Sequence, residues 1–294
     1  MKTIAIPLLL SLSVLVGCAT YQAQQAGLTA GTTSPPANNA LRLYALDCGT
    51  MDFPDISAFS NQGKFDGVAL SLVDPCFLLR HPKGDLLWDI GLDQSLVDNP
   101  NGIQTEAIHM RMTTKLTDQL EQLDLPPSGI EFLAISHSHP DHLGNAHLFP
   151  EATFLVHEAE RAFMFSEAMQ GLREQGAEAY AALERATTVT YKDHHDVFGD
   201  GSVVMKAMPG HTPGHAVLLV RLQRSGNVLL TGDLYTHAEA RKMRAVPAFN
   251  IDPELTLQSM DRFEELASEE KARVVIQHDK DSFESLPTFP GYLD

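Results

Sequence analysis

Ser136-His137-Ser138-His139-Pro140-Asp141-His142-Leu143-Gly144 follows directly on an apolar run that reads as a strand, Phe132–Ser136. Three imidazoles and a carboxylate fall within six residues on a turn at a strand end. Two His one residue apart can converge on one ion from an extended or tightly turned backbone. Asp141 and His142, offset from them, can reach a second ion. Neutral imidazole and carboxylate are borderline ligands of the kind zinc favours, with Mn, Fe and Co also admissible. A polar loop with incidental His is the competing reading, and the density of His argues against it.

Three further strand-end signals complete the set. Pro209-Gly210-His211-Thr212-Pro213-Gly214-His215 lies on a turn-rich loop between apolar runs. Thr231-Gly232-Asp233 follows the apolar run Val228–Leu230, and Ile276-Gln277-His278-Asp279 closes the last one. A lone His or Asp at such a place is usually a hydrogen-bonded loop residue. Four signals on one chain are harder to dismiss.

Strands are expected at Leu41–Leu46, Cys76–Arg80, Leu86–Ile90, Phe132–Ser136 and Thr153–Val156. Others are expected at Val203–Ala207, Ala216–Leu222, Val228–Thr231 and Val274–Gln277. Helical patterns cover Thr105–Leu123, Glu158–Gly171, Glu174–Ala186 and Pro253–Lys271. The last is the clearest, with Asp252 as N-cap, Pro253 in the first turn and Met260, Phe263 and Leu266 or Ala267 at helical spacing. The alternation predicts a layered α/β domain.

The chain has 294 residues, 44% of them hydrophobic, enough for a sizeable core. Acidic residues outnumber basic ones by 38 to 21, a formal charge of −17, which argues against nucleic acid or an anionic membrane surface as partner. Thirteen His against three Cys exclude a disulfide scaffold or a Cys-rich zinc module. There is no G-x-S-x-G elbow, G-x-G-x-x-G or P-loop.

Lys2 and the 13-residue apolar stretch Ile4–Val16 read as a signal peptide, too short for a span that needs roughly 20 residues. Leu15-Val16-Gly17-Cys18 resembles the bacterial lipobox, which implies lipidation of Cys18. Ala19 after it implies the outer membrane, so the protein is expected to be exported, on the periplasmic side, touching the membrane only through this N-terminal anchor. Residues 19–40 carry no charge and read as a flexible tether. The expected organisation is a signal peptide at 1–17, a lipid-anchored tether at 18–40 and one folded domain at 41–294. Cys48 and Cys76 remain in the domain, either paired in an oxidising compartment or as two buried thiols. The oligomeric state is left open, a homodimer included.

The HxHxDH segment with a distant His, Asp and His resembles the metallo-β-lactamase superfamily, from about Leu41 to Asp294. The resemblance implies an αββα sandwich with two metal ions, most simply Zn2+. It assigns His137, His139 and His211 to one ion, Asp141, His142 and His278 to the other, and Asp233 as the bridge. His215 matches a family His that is not normally a ligand and is expected to support the site by hydrogen bonding. A bridging Asp233 together with His142 argues against the lactamases themselves. Phe249-Asn250-Ile251-Asp252-Pro253-Glu254-Leu255, Phe289-Pro290-Gly291-Tyr292-Leu293, Cys76 and Asp89-Ile90-Gly91 look like N-acyl-homoserine lactonases.

That resemblance implies opening of a lactone ring by a hydroxide held between the metals, with Asp141 as proton donor to the leaving alkoxide. The family's Tyr stands three residues after the bridging Asp, whereas here Tyr235 stands only two on. Two readings of Tyr235 follow: a hydroxyl on the substrate, or an aromatic packed under the loop. Acyl-chain selection falls to apolar side chains around the cleft, with Glu158–Ala186 a candidate wall that equally suits ordinary core. The alternatives are a hydrolase of other lactones, aryl esters, organophosphates or thioesters on the same site, and a non-catalytic metal-binding surface lipoprotein.

Overall fold

Phe77, Leu78 and Leu79 are consecutive and all fully buried. Successive side chains of a strand point to opposite faces, so this run demands cover on both sides of its sheet. A computed structural model describing residues 40–294 shows how that is met. The signal peptide, Cys18 and nearly all of the tether lie outside the described residues.

One mixed sheet contains β1 (Arg42–Phe53), β2 (Leu70–His81), β3 (Gly84–Trp88), β4 (Ile103–Gln104), β5 (His109–Arg111), β6 (Phe132–Ala134), β7 (Thr153–His157) and β8 (Thr188–Tyr191). Its order is β4-β5-β1-β2-β3-β6-β7-β8. The second contains β9 (His194–Asp196), β10 (Val203–Ala207), β11 (Ala216–Leu222), β12 (Gly226–Leu230) and β13 (Arg273–Val275), in the order β13-β12-β11-β10-β9. The helices are α1 (Leu116–Glu121), α2 (Glu158–Met164), α3 (Gln170–Gln175), α4 (Ala177–Arg185), α5 (Ala238–Met243), α6 (Pro253–Glu269) and α7 (Lys280–Glu284).

Three apolar layers result. Phe77, Leu79 and Trp88 meet Leu218, Val220 and Leu230 between the sheets. Leu78 and Leu87 face outward against Leu116, Met164 and Leu183 of α1, α2 and α4. Val217, Leu219 and Leu229 face outward on the other side against Met260 and Phe263 of α6. The stack is therefore helix, sheet, sheet, helix, the expected αββα sandwich.

Several boundaries differ from expectation. The Thr105–Leu123 helix is reduced to α1; upstream, Met110 pairs with Met51 and with Ile103, so the segment forms edge strands β4 and β5. Glu158–Gly171 breaks after Met164 and resumes at α3. β1 and β2 run well beyond their apolar cores because a register shift between Asp47 and Thr50 lets the ladder continue past Gly49. Cys48 and Cys76 form a disulfide across this pair, Cα–Cα 5.8 Å. Gly91 packs against it at φ 65°, where a Cβ would lie 2.3 Å from the Cβ of Cys48.

The topology places the site. β3, β6 and β7 are mutually parallel, as are β12 and β13. Their carboxyl ends bring the segments after Trp88, Ala134, Leu230 and Val275 to one edge of the sandwich, beside the β10–β11 loop.

Candidate metal centre

The turn after β6 lifts the side chains of His137, His139 and His142 out of the sheet, with Pro140–His142 forming a tight helical turn. His137 Nε2 lies 2.8 Å from His139 Nδ1. His211 Nε2, from the β10–β11 loop, lies 3.1 Å and 3.2 Å from those atoms. Beside this trio, His142 Nε2 and His278 Nε2 are 3.3 Å apart, and Asp141 Oδ2 is 3.7 Å from each.

Asp233 stands between the groups. Its Oδ2 is 3.7 Å from His211 Nε2 and 4.0 Å from His137 Nε2. Its Oδ1 faces His278 Nε2 at 3.0 Å and His142 Nε2 at 3.4 Å, without a well-directed hydrogen bond. Ligand-capable atoms of His137, His139, His211 and Asp233 form one convergent group, and those of Asp141, His142 and His278 another.

These residues fit divalent ions. Buried imidazole nitrogens facing each other cannot all be satisfied by N–H donors, since a neutral ring carries one proton. Four ligands at about 2.0–2.1 Å around a tetrahedral ion lie about 3.3 Å apart, close to the observed spacings.

The outer ring nitrogens are held in turn. His137 Nδ1 meets Ser136 Oγ at 3.0 Å; His142 Nδ1 meets the same hydroxyl at 3.3 Å and faces Asp89 Oδ2 at 3.1 Å without a well-directed hydrogen bond. Asp89, at φ 46°, also accepts the Ser136 N–H. His211 Nδ1 meets Asn250 Oδ1 at 2.8 Å, and His278 Nδ1 meets the Val73 carbonyl at 2.9 Å. His215 accepts the Asp233 N–H on Nε2 at 2.9 Å and faces the Met208 carbonyl through Nδ1. It therefore holds the shared carboxylate rather than joining a ligand group. Sequence reasoning assigned no role to Asp89 or Asn250, although both lie in quoted segments; nothing in those segments revealed which imidazole each would meet.

Electrostatics divide the two groups. Burial pushes His139 down to about 3, and neighbouring imidazoles reinforce it. Burial likewise lowers His137 and His211, and takes His215 to about 3. Burial also disfavours charge on His278, but Asp233 outweighs it and raises this group to about 9. His142 is raised by Asp89, Asp141 and Asp233, again against burial.

Tyr235 corrects one expectation. Its hydroxyl donates to Glu264 Oε1 at 2.9 Å and its ring packs edge-on to Phe263, on the α6 side of the second sheet. The tight turn Gly232–Leu234 ends at Tyr235 in extended conformation, which aims this side chain away from Asp233. Three residues after Asp233 stands Thr236, buried, with its hydroxyl 3.0 Å from His237 Nδ1.

Above the centre opens a cavity of about 380 Å3 with His139, Asp141, Asp233 and His278 in its lining. Its apolar walls are Met51 and Phe53 of β1, Phe59, Leu72, Leu172 and Phe249. Only Leu172 comes from the Glu158–Ala186 stretch. Phe53, Phe59, Phe249 and His211 form an aromatic chain with successive centroids 5.1, 5.5 and 5.9 Å apart.

With this sandwich and this ligand set, the chain belongs to the metallo-beta-lactamase superfamily, whose family model matches residues 74–278. It is 30% identical over 262 residues to the N-acyl homoserine lactonase AttM of Azorhizobium caulinodans, covering 86% of this chain and 99% of that protein. It is 27% identical over 269 residues to the N-acyl homoserine lactonase AiiA of Bacillus thuringiensis subsp. kurstaki, covering 86% and 98%. A solved N-acyl homoserine lactone hydrolase, with the product N-hexanoyl-L-homoserine bound at its catalytic metal center, is similar at a TM-score of 0.73 and 27% identity. That match covers 86% of this chain and 99% of the other.

Proposed function

We propose that this protein is a dinuclear metal-dependent hydrolase that opens the lactone ring of N-acyl homoserine lactones. The observation that carries the reading is Asp233, whose two oxygens face separate ligand groups at the floor of an apolar cleft. Relatives named as lactonases share nearly the whole domain.

His137, His139 and His211 would hold one ion, Asp141, His142 and His278 the other, with Asp233 shared. Two divalent ions, zinc by the chemistry of the donor set, would supply Lewis acidity at the carbonyl and a nucleophilic hydroxide near neutral pH. Asp141, the more solvent-accessible of the two ligand carboxylates at 22% side-chain exposure, would accept the proton still carried by the attacking oxygen once it has added to the carbonyl and pass it to the ring oxygen as that bond breaks. Tyr235 has no part in this. The apolar walls exclude water and take the acyl chain.

Among the described residues no Lys or Arg lines the cleft, and outside the proposed ligand set its charged lining residue is Asp55. This favours uncharged lactones over anionic thioesters or phosphodiesters. The Cys48–Cys76 disulfide suits an oxidising compartment, which supports the reading of an exported protein; lipidation at Cys18 rests on the lipobox-like Leu15–Cys18 segment alone. The test is a panel of homoserine lactones with varied acyl chains, with metal content measured on the same sample. About two ions per chain and ring-opened product are expected. Rapid turnover of an aryl ester with no lactone opened would overturn the assignment.

A further inference from the structure

Glu160 lies in the first turn of α2, 1% exposed, and accepts four hydrogen bonds. Its Oε1 accepts the backbone N–H of Ser138 at 2.7 Å and the Ser138 hydroxyl at 2.6 Å. Its Oε2 accepts the Thr212 hydroxyl at 2.6 Å and the Gly214 N–H at 3.0 Å. Ser138 separates His137 from His139, and Thr212 follows His211. One carboxylate thus ties together the two loops that carry the first imidazole trio. The loops approach closely: a Cβ on Gly214 would lie 2.3 Å from the backbone nitrogen of Glu160.

The tie is one-sided. Among the second group, His142 is held by Ser136 and Asp89 and His278 by the Val73 carbonyl, none of which touches Glu160. We infer that Glu160 is a positioning residue that sets the spacing of His137, His139 and His211, and so controls metal affinity at that position and not at its neighbour. The inference rests on the dinuclear reading above.

The isosteric variant Glu160→Gln tests it. A glutamine has one acceptor oxygen; its NH2 must face either the Ser138 or the Gly214 N–H, and a backbone donor cannot turn away. One loop is released and one buried donor is left unpaired. The full chain, stripped with a chelator, is titrated with Zn2+ against a chromophoric competitor, alongside a melting curve. Wild type is expected to bind two ions. Glu160→Gln is expected to keep one at wild-type affinity and to lose about 10–100-fold at the other, the usual effect of removing an outer partner. Thr212→Val, which removes one hydroxyl and leaves no backbone donor unpaired, is expected to weaken the same ion several-fold, and decides the matter if Glu160→Gln does not fold.

Two ions bound as tightly as in wild type, or equal weakening of both, would overturn the inference. The same holds for Thr212→Val. A wild type that binds fewer than two ions would instead overturn the dinuclear reading, and this inference with it.

Discussion

Asp233 and Tyr235 stand two residues apart, yet Asp233 joins the ligand groups at the edge of the sandwich while Tyr235 packs against Phe263 of α6. Asp233 joins both ligand groups, so Asp233→Ala is expected to abolish binding of the second ion and to reduce lactone hydrolysis about 100-fold or more. Tyr235→Phe removes only the hydrogen bond to Glu264, whose carboxylate stays paired with Arg241 at 2.7 Å. It is expected to cost about 1 kcal/mol of stability and to leave kcat/KM unchanged within twofold. A tenfold loss of kcat/KM without loss of stability would return Tyr235 to the cleft. The contrast shows what sequence can carry at this scale. The convergence of these seven side chains was legible because only a few residue types bind borderline metals and all stood at strand ends. The aim of Tyr235 was not, because one turn residue more or less reverses a side chain's direction. The partners of the outer imidazole nitrogens were equally hidden, since Asp89 and Asn250 are brought to His142 and His211 by the fold, not by spacing.

The β1–β2 pair supports the site without supplying a metal-binding side chain. β2 carries the Val73 carbonyl that holds His278, and β1 supplies Met51 and Phe53 to the cleft. The disulfide closes a loop with a sequence separation of 28, which by chain entropy stabilises the fold by about 3.5 kcal/mol. For a domain of this size a Cys48→Ala/Cys76→Ala double variant is expected to melt about 10 °C lower. An unchanged melting temperature would show that the bond adds nothing to the stability of the fold. Long strands fully covered on both faces were legible as apolar runs, and α6 was legible from its cap and period. The edge strands β4 and β5 were not. They are short, and their alternation over Ile108, Met110 and Met112 is outweighed in sequence by the helical pattern that follows. Only pairing with β1 makes them strands, and pairing is a long-range fact.

At the scale of the whole molecule the two ligand groups impose opposite pH dependences on the metal-free fold. His139 and His215 sit at about 3, and His137 and His211 are lowered by burial. For a depressed imidazole the unfolded chain binds more protons, so stability is lost as pH falls below 6.5, its ordinary value. For His278, raised to about 9 chiefly by Asp233, the folded chain binds more protons. Its contribution is complete below 6.5 and disappears as pH rises through about 9. His142 acts in the same sense. The chelated protein is therefore expected to be most stable near pH 6.5, with its melting temperature falling on both sides. Metal replaces the protons on His142 and His278, so loading near pH 7.5 is expected to release protons from this group and almost none from the first. In the loaded protein the fall between pH 7 and 9 is expected to vanish. Melting curves across pH 5–10, with chelator and with two equivalents of Zn2+, measure both limbs. A chelated protein whose stability keeps rising through pH 9 would mean that Asp233 does not hold the second group in its protonated form.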